Sequence, residues 1–156
     1  MDIHENIRCQ YQASLEMLKQ AVAQCPDGMW NDSAYRNAFW QVAYHALFYT
    51  HLYLYPGREK FVRWEKHRRG LHEMKPGEEP YSKAEILEYC EIVRQQIDQV
   101  VPASDLDAPS GFNWLPFNRL ETHFYNMRHL MQHIGELSER LGVAAKIDVS
   151  WVTRVE

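Results

Sequence analysis

The stretch that decides the fold is Ala38 to Tyr55, AFWQVAYHALFYTHLYLY. Phe39, Trp40, Val42, Tyr44, Leu47, Phe48, Leu52 and Leu54 place apolar side chains nearly all round a helix. A helix of that kind is buried on several sides, so other helices must surround it. Its polar members, His45 and His51 among them, then need partners, because burying an unbonded imidazole is costly. The spacing predicts a helix over Ala34 to Tyr55, with Asp32 or Ser33 as N-cap and Pro56-Gly57 as its stop.

Working outward, three amphipathic segments supply the surroundings. Ile7, Tyr11, Leu15, Leu18, Val22 and Cys25 share one face of a helix from Ile3 to Gln24. Asp2 and Glu5 form a candidate capping box at its start, and Pro26-Asp27-Gly28 ends it. Ile86, Cys90, Val93, Ile97 and Val100 mark a helix from Lys83 to Val101, opened by Ser82 and Glu85 and closed by Pro102. Leu120, Phe124, Met127, Met131, Ile134 and Leu141 mark a last helix from Arg119 to Leu141, capped by Asn118 and closed by Gly142. Four such helices without a convincing strand predict an all-α four-helix bundle, read as one domain over residues 1–156. The short first link predicts that the first two helices are neighbours. The tail from Val143 to Glu156, with Ile147, Val149 and Trp151, is expected to pack back on the helices.

Composition narrows the function. A hydrophobic fraction of 46% excludes a disordered chain, and a net charge of −4 argues against a nucleic-acid partner. No apolar run is long enough for a bilayer, and the N-terminal residues do not read as a signal peptide. Cys9, Cys25 and Cys90 are sparse and unpatterned, which fits buried thiols in a reducing cytoplasm.

The chemistry resides in the eight histidines. His129 and His133 stand four apart on the last helix, which stacks two imidazoles on one face. A metal ion needs a third ligand from another element, and His45 lies midway along the most buried helix. Three neutral nitrogens with an open position describe a reactive site for zinc, nickel or iron. By spacing alone, His51 competes with His45, and His123 competes on the last helix. Ordinary hydrogen bonding or surface chance is the bland reading of the pair. Glu136 projects away from the predicted stripe and Glu121 lies two turns before His129, which ranks metal-dependent hydrolysis lower. Tyr44 and Asn126 are candidates for orienting the ligands. The link from Arg58 to Gly70 holds six Lys or Arg against Glu59 and Glu65, with Phe61 and Trp64 between them. It reads as a solvated loop or as a receiver of an anionic cofactor.

Asn126, Arg128, His129, His133, Gly135 and Leu137 resemble the last-helix motif of the DinB-like superfamily, an asparagine-x-arginine-histidine start, histidine four residues on, then x-glycine-x-leucine. Ala43 to Tyr49 is similar to its second-helix motif, which puts the first ligand histidine on His45. Gly111 to Pro116 and Trp151 also look like family features. The resemblance implies an up-down-down-up arrangement with a long link between the second and third helices, here Pro56 to Tyr81, a metal site of His45, His129 and His133, and a homodimer. It also implies a small-molecule substrate, with a low-molecular-weight thiol as co-reactant in an S-transferase-type enzyme. The rival is a non-catalytic dimeric helical protein that binds a ligand or partner and keeps a vestigial metal site.

Overall fold

The computed structural model describes residues 2–156. Among the described residues there are five α-helices: α1 (Ile3–Gln24), α2 (Asp27–Trp30), α3 (Phe39–Leu54), α4 (Lys83–Val100) and α5 (Arg119–Ala145). Among the described residues there is no β-strand, and no helix is long and apolar enough to cross a membrane.

Each long helix starts where a side chain satisfies its free N–H groups. Asp2 accepts from the backbone of His4 and Glu5, while Glu5 turns its own carboxylate to Arg8. Ser82 and Glu85 form the expected reciprocal box. The Asn118 carboxamide accepts from Glu121 N. The central helix departs from expectation, because it begins at Phe39 and not at Ala34. Asp32 spends its carboxylate on Ala34 N in a local turn, Ala38 becomes the N-cap without a side-chain cap, and Gln41 in the first turn reaches back to accept from Ala38 N. α5 runs through Gly142 to Ala145, and Lys146 makes the left-handed ending at φ 58°.

The late start of α3 changes the packing. The link from Cys25 to Ala38 contains α2, so it is long enough to cross a diagonal. α1 packs on α4 and α5, α3 packs on the same two helices, and α1 and α3 barely meet. The first two long helices are therefore not neighbours. Gln12 reaches Asp98 and Arg94 pairs with Glu16, so α1 and α4 run antiparallel. His45 meets His129 while Arg119 reaches Leu54, so α3 and α5 also run antiparallel.

The buried face of α5 is rotated from the hydropathy stripe. Thr122, His123, Asn126, Leu130, His133, Ile134, Leu137 and Leu141 are buried, whereas Phe124 is half exposed. Hydropathy misplaces this face because its polar members are bonded inside: Asn126 Nδ2 donates to Thr50 O at 3.0 Å, and His123 meets the Tyr11 hydroxyl. The tail does return to α1, where Ser150 N donates to Gln20 and Gln10 donates to Thr153 O. Trp151 itself, however, is 73% exposed.

The long links between α3 and α4 and between α4 and α5 are fastened to the helices. Trp64 stacks on Tyr89 with centroids 4.6 Å apart, and Phe61, Leu71 and Tyr81 are buried. The basic run is thus anchored by aromatic residues, with its charges outside. Gly111, at φ 81°, lies against the end of α3, where an added Cβ would sit 1.8 Å from the Pro56 carbonyl oxygen. Gly111→Ala is expected to cost about 1–3 kcal/mol from backbone conformation alone, with displacement of the link in addition. A urea midpoint unchanged from wild type would show that the link relaxes freely.

Candidate metal centre

Three imidazoles from two helices meet at one point. His45 comes from the middle of α3, and His129 and His133 come from successive turns of α5. One nitrogen from each lies within 4.8 Å of the other two. His129 Nε2 is 3.3 Å from His45 Nε2 and 3.2 Å from His133 Nε2. Nitrogens bound at about 2.0 Å to one tetrahedral ion stand about 3.3 Å apart. The antiparallel packing of α3 on α5 makes this meeting possible, with His45 facing the gap between the α5 pair.

Proton accounting shows what such a cluster can hold. His45 Nδ1 is 2.6 Å from the His72 carbonyl oxygen. A carbonyl only accepts, so His45 carries its proton on Nδ1 and turns a bare lone pair inward on Nε2. His133 Nδ1 is 3.3 Å from the Glu136 carboxylate, which assigns the same tautomer. Two lone pairs therefore point at His129 Nε2, which has at most one proton to share. That proton can satisfy only one of the two lone pairs, and the other is left without a donor unless a cation sits among them. Burial, reinforced by the neighbouring His133, depresses the His45 and His129 pKa values to about 4, although the His72 carbonyl pulls the other way on His45. Both rings are consequently neutral at pH 7 and available as ligands.

The orienting groups differ from those expected. The Tyr44 hydroxyl bonds His67 Nδ1, and Asn126 bonds the α3 backbone. Tyr44 precedes His45 and so projects about 100° away round the helix. The orienting contacts come from the His72 carbonyl and Glu136. Glu136 is itself held by Arg140, whose guanidinium also donates to Asn37 O at 2.7 Å. Glu136, set aside because it left the apolar stripe, lies one turn after His133 and Arg140 four residues further on. That three-and-four spacing was the available signal. The His72 contact had no such signal, since it uses a main-chain oxygen from a distant link. Tyr49 covers the centre, with its ring 4.8 Å from that of His45 and 5.4 Å from that of His129.

The competing histidines lie elsewhere. His51 meets the Tyr89 hydroxyl at 3.2 Å, and His123 meets that of Tyr11 at 3.2 Å. The sequence profile of the DinB superfamily matches residues 10–137, most of the chain. The chain belongs to this superfamily. No curated protein and no solved structure matches it significantly. The triad of this DinB-superfamily protein falls inside the matched span, and its geometry is compatible with metal binding.

His51 and His123 make the stability of this DinB protein acid-sensitive. Burial holds both near pKa 4 when folded, against about 6.5 when unfolded. Between those values the unfolded chain binds more protons, so their contribution is full above pH 6.5 and is lost as pH falls toward 4. The loss amounts to about 2 kcal/mol for each histidine by pH 5. Urea midpoints of metal-stripped protein should fall between pH 7.5 and 5, and the fall should be shallower in H51Q/H123Q. A flat profile would contradict the assignment.

Proposed function

We propose that this DinB-superfamily protein binds one divalent ion, zinc or nickel with iron as a further option, through His45, His129 and His133, and uses it to activate a small thiol for S-transfer. The observation that carries the reading is the pair of inward lone pairs on His45 and His133, set 3.2–3.3 Å from His129 Nε2. When bound with a free position, such an ion lowers the pKa of water to about 7 and takes up a thiol as its thiolate.

The chain's own residues prepare that chemistry. The His72 carbonyl and Glu136 hold the tautomers of His45 and His133. Arg140, itself anchored on the Asn37 carbonyl, holds Glu136 in turn, and Tyr49 shields one side of the triad from water. Glu136 engages the Nδ1 side of His133, away from the converging Nε2 atoms. It is therefore badly placed as a base for hydrolysis, which favours the thiol reading over activated water.

The wider reading is an up-down-down-up four-helix bundle. It is supported by the antiparallel pairings of α1 with α4 and of α3 with α5. One hydrophobic cluster extending through α1 to α5 supports a single domain over residues 1–156. Three free, buried cysteines support a cytoplasmic location. A homodimer is part of this proposal, and light scattering tests it.

The function is tested by stripping the protein, reloading it with zinc or nickel, and mixing it with cysteine or glutathione and a bromoalkyl electrophile. The thiol sulfur forms the new C–S bond, bromide leaves, and one proton is released. Turnover should require the metal and drop at least about 100-fold in His45→Ala. Metal binding without turnover for any thiol would favour the rival, a non-catalytic ligand-binding protein. An equal rate in the presence of a chelator would overturn the metal-dependent mechanism.

A further inference from the structure

Beside the triad lies a cavity of about 1100 Å³, walled by Phe48, Tyr49 and Trp114 on its apolar side and by Arg58, Arg63 and Arg69 on its charged side. The volume slightly exceeds the usual range of about 300–1,000 Å³ for small-molecule sites, so it has room for an organic ligand. The cavity shares walls with the metal centre. Tyr49 packs against His45 and His129, and His72, which lines the cavity, receives the His45 proton contact on its carbonyl.

The charge of this cavity runs against that of the chain. The protein carries a net −4, yet the cavity lining has four basic residues and one acidic residue. That one carboxylate, Glu73, is taken by Lys75. Among the described residues, Arg58, Arg63 and Arg69 line the cavity without a carboxylate partner, and the Arg63 guanidinium lies over the Phe61 ring. Unpaired guanidiniums in a concave site are suited to bidentate contact with a carboxylate. Flat aromatic walls are suited to an unsaturated or aromatic body.

We propose that this cavity binds a small organic acid with a flat apolar body, its carboxylate held by Arg58, Arg63 and Arg69. The acid's part in a reaction rests on the metal-centre reading above, whereas its binding needs no metal. The three arginines would then determine specificity for acidic over neutral substrates.

The test uses 2-naphthoate and its neutral counterpart 2-naphthamide, titrated calorimetrically into the full chain, both zinc-loaded and chelator-stripped. Naphthoate should bind at least tenfold tighter than naphthamide in both forms, and high salt should erode the difference. The variant R58Q/R63Q/R69Q should lose the preference, and the corresponding triple lysine variant should keep part of it. Equal binding of the two ligands by wild type, or a preference surviving in the glutamine variant, would overturn the proposal. In H45A/H129A/H133A the preference should persist. Its disappearance there would mean that an ion binds the carboxylate, which sinks the cavity proposal and leaves the metal reading standing. A chain that binds no metal but keeps the preference fails in the opposite way.

Discussion

His129→Ala is expected to leave metal loading with almost no bound ion, while wild type retains about one zinc or nickel per chain. His129 supplies the nitrogen that both other rings approach, at 3.3 and 3.2 Å. Without it two ligands remain on different helices, too few to close a structural or catalytic site. The loss should reach stability as well. A ligand at 100 times its Kd stabilises the folded state by about 2.7 kcal/mol. For a chain of this length that corresponds to a rise in Tm of about 5–10 °C, which His129→Ala should lack. Glu136→Gln makes the graded comparison, because it keeps all three ligands and weakens only the contact that holds the His133 tautomer. It should cost about 10–100-fold in metal affinity. Elemental analysis of untagged protein with competitive titration measures both. Equal metal content in wild type and His129→Ala would remove the three-histidine centre from consideration.

The second large effect lies away from the metal. Arg119, the first residue of α5, is only 5% exposed. Its guanidinium donates to Tyr55 O at 2.7 Å, Leu54 O at 2.8 Å and Ser110 O at 3.2 Å. The first two are at the C-terminal end of α3, where carbonyls lack intrahelical partners and the helix dipole is negative. One buried cation thus closes α3, fastens the Ser110 link and positions the start of α5. Arg119→Met removes the donor and leaves three carbonyls without it. The expected cost is about 3–5 kcal/mol, a large share of a typical total of about 5–15 kcal/mol. Arg119→Lys should recover only part, since an ammonium on a flexible stem does not match the planar fork. Thermal and urea denaturation measure both variants. A loss below about 1 kcal/mol for Arg119→Met would show that water replaces the guanidinium at little cost. Because Arg119 holds the ends of the two helices that carry the triad, metal affinity in the same variant should fall along with stability.

The local role of Arg119 is written in the sequence around it, whereas its contacts are not. Its place at the head of a helix was plain from Asn118 and Glu121, but its partners lie 64 and 65 residues away in sequence. Local patterning does not encode such pairings. The boundary of the central helix was misplaced for a related reason. Asp32 can serve equally as an N-cap or in a turn, and only the packing of Trp40 and Gln41 selected the later start. The α5 face was misjudged because His123 and Asn126 are buried with partners on α1 and α3, which hydropathy cannot register.

What the sequence determined by itself was periodic and local. Helix type followed from spacings of three and four, the stops from proline and glycine, and the His129–His133 pair from one turn of helix. The all-helical class and the family both follow from features of that range. Only tertiary structure decided that α1 and α3 lie across a diagonal, and it is the depth of α3 against α5 that brings His45, which spacing alone could not separate from His51, to face the α5 pair. It likewise decided that a main-chain oxygen of His72 and the carboxylate of Glu136 set the tautomers. Those outcomes depend on the relative rotation and depth of packed helices, set by many side-chain volumes and long-range hydrogen bonds together.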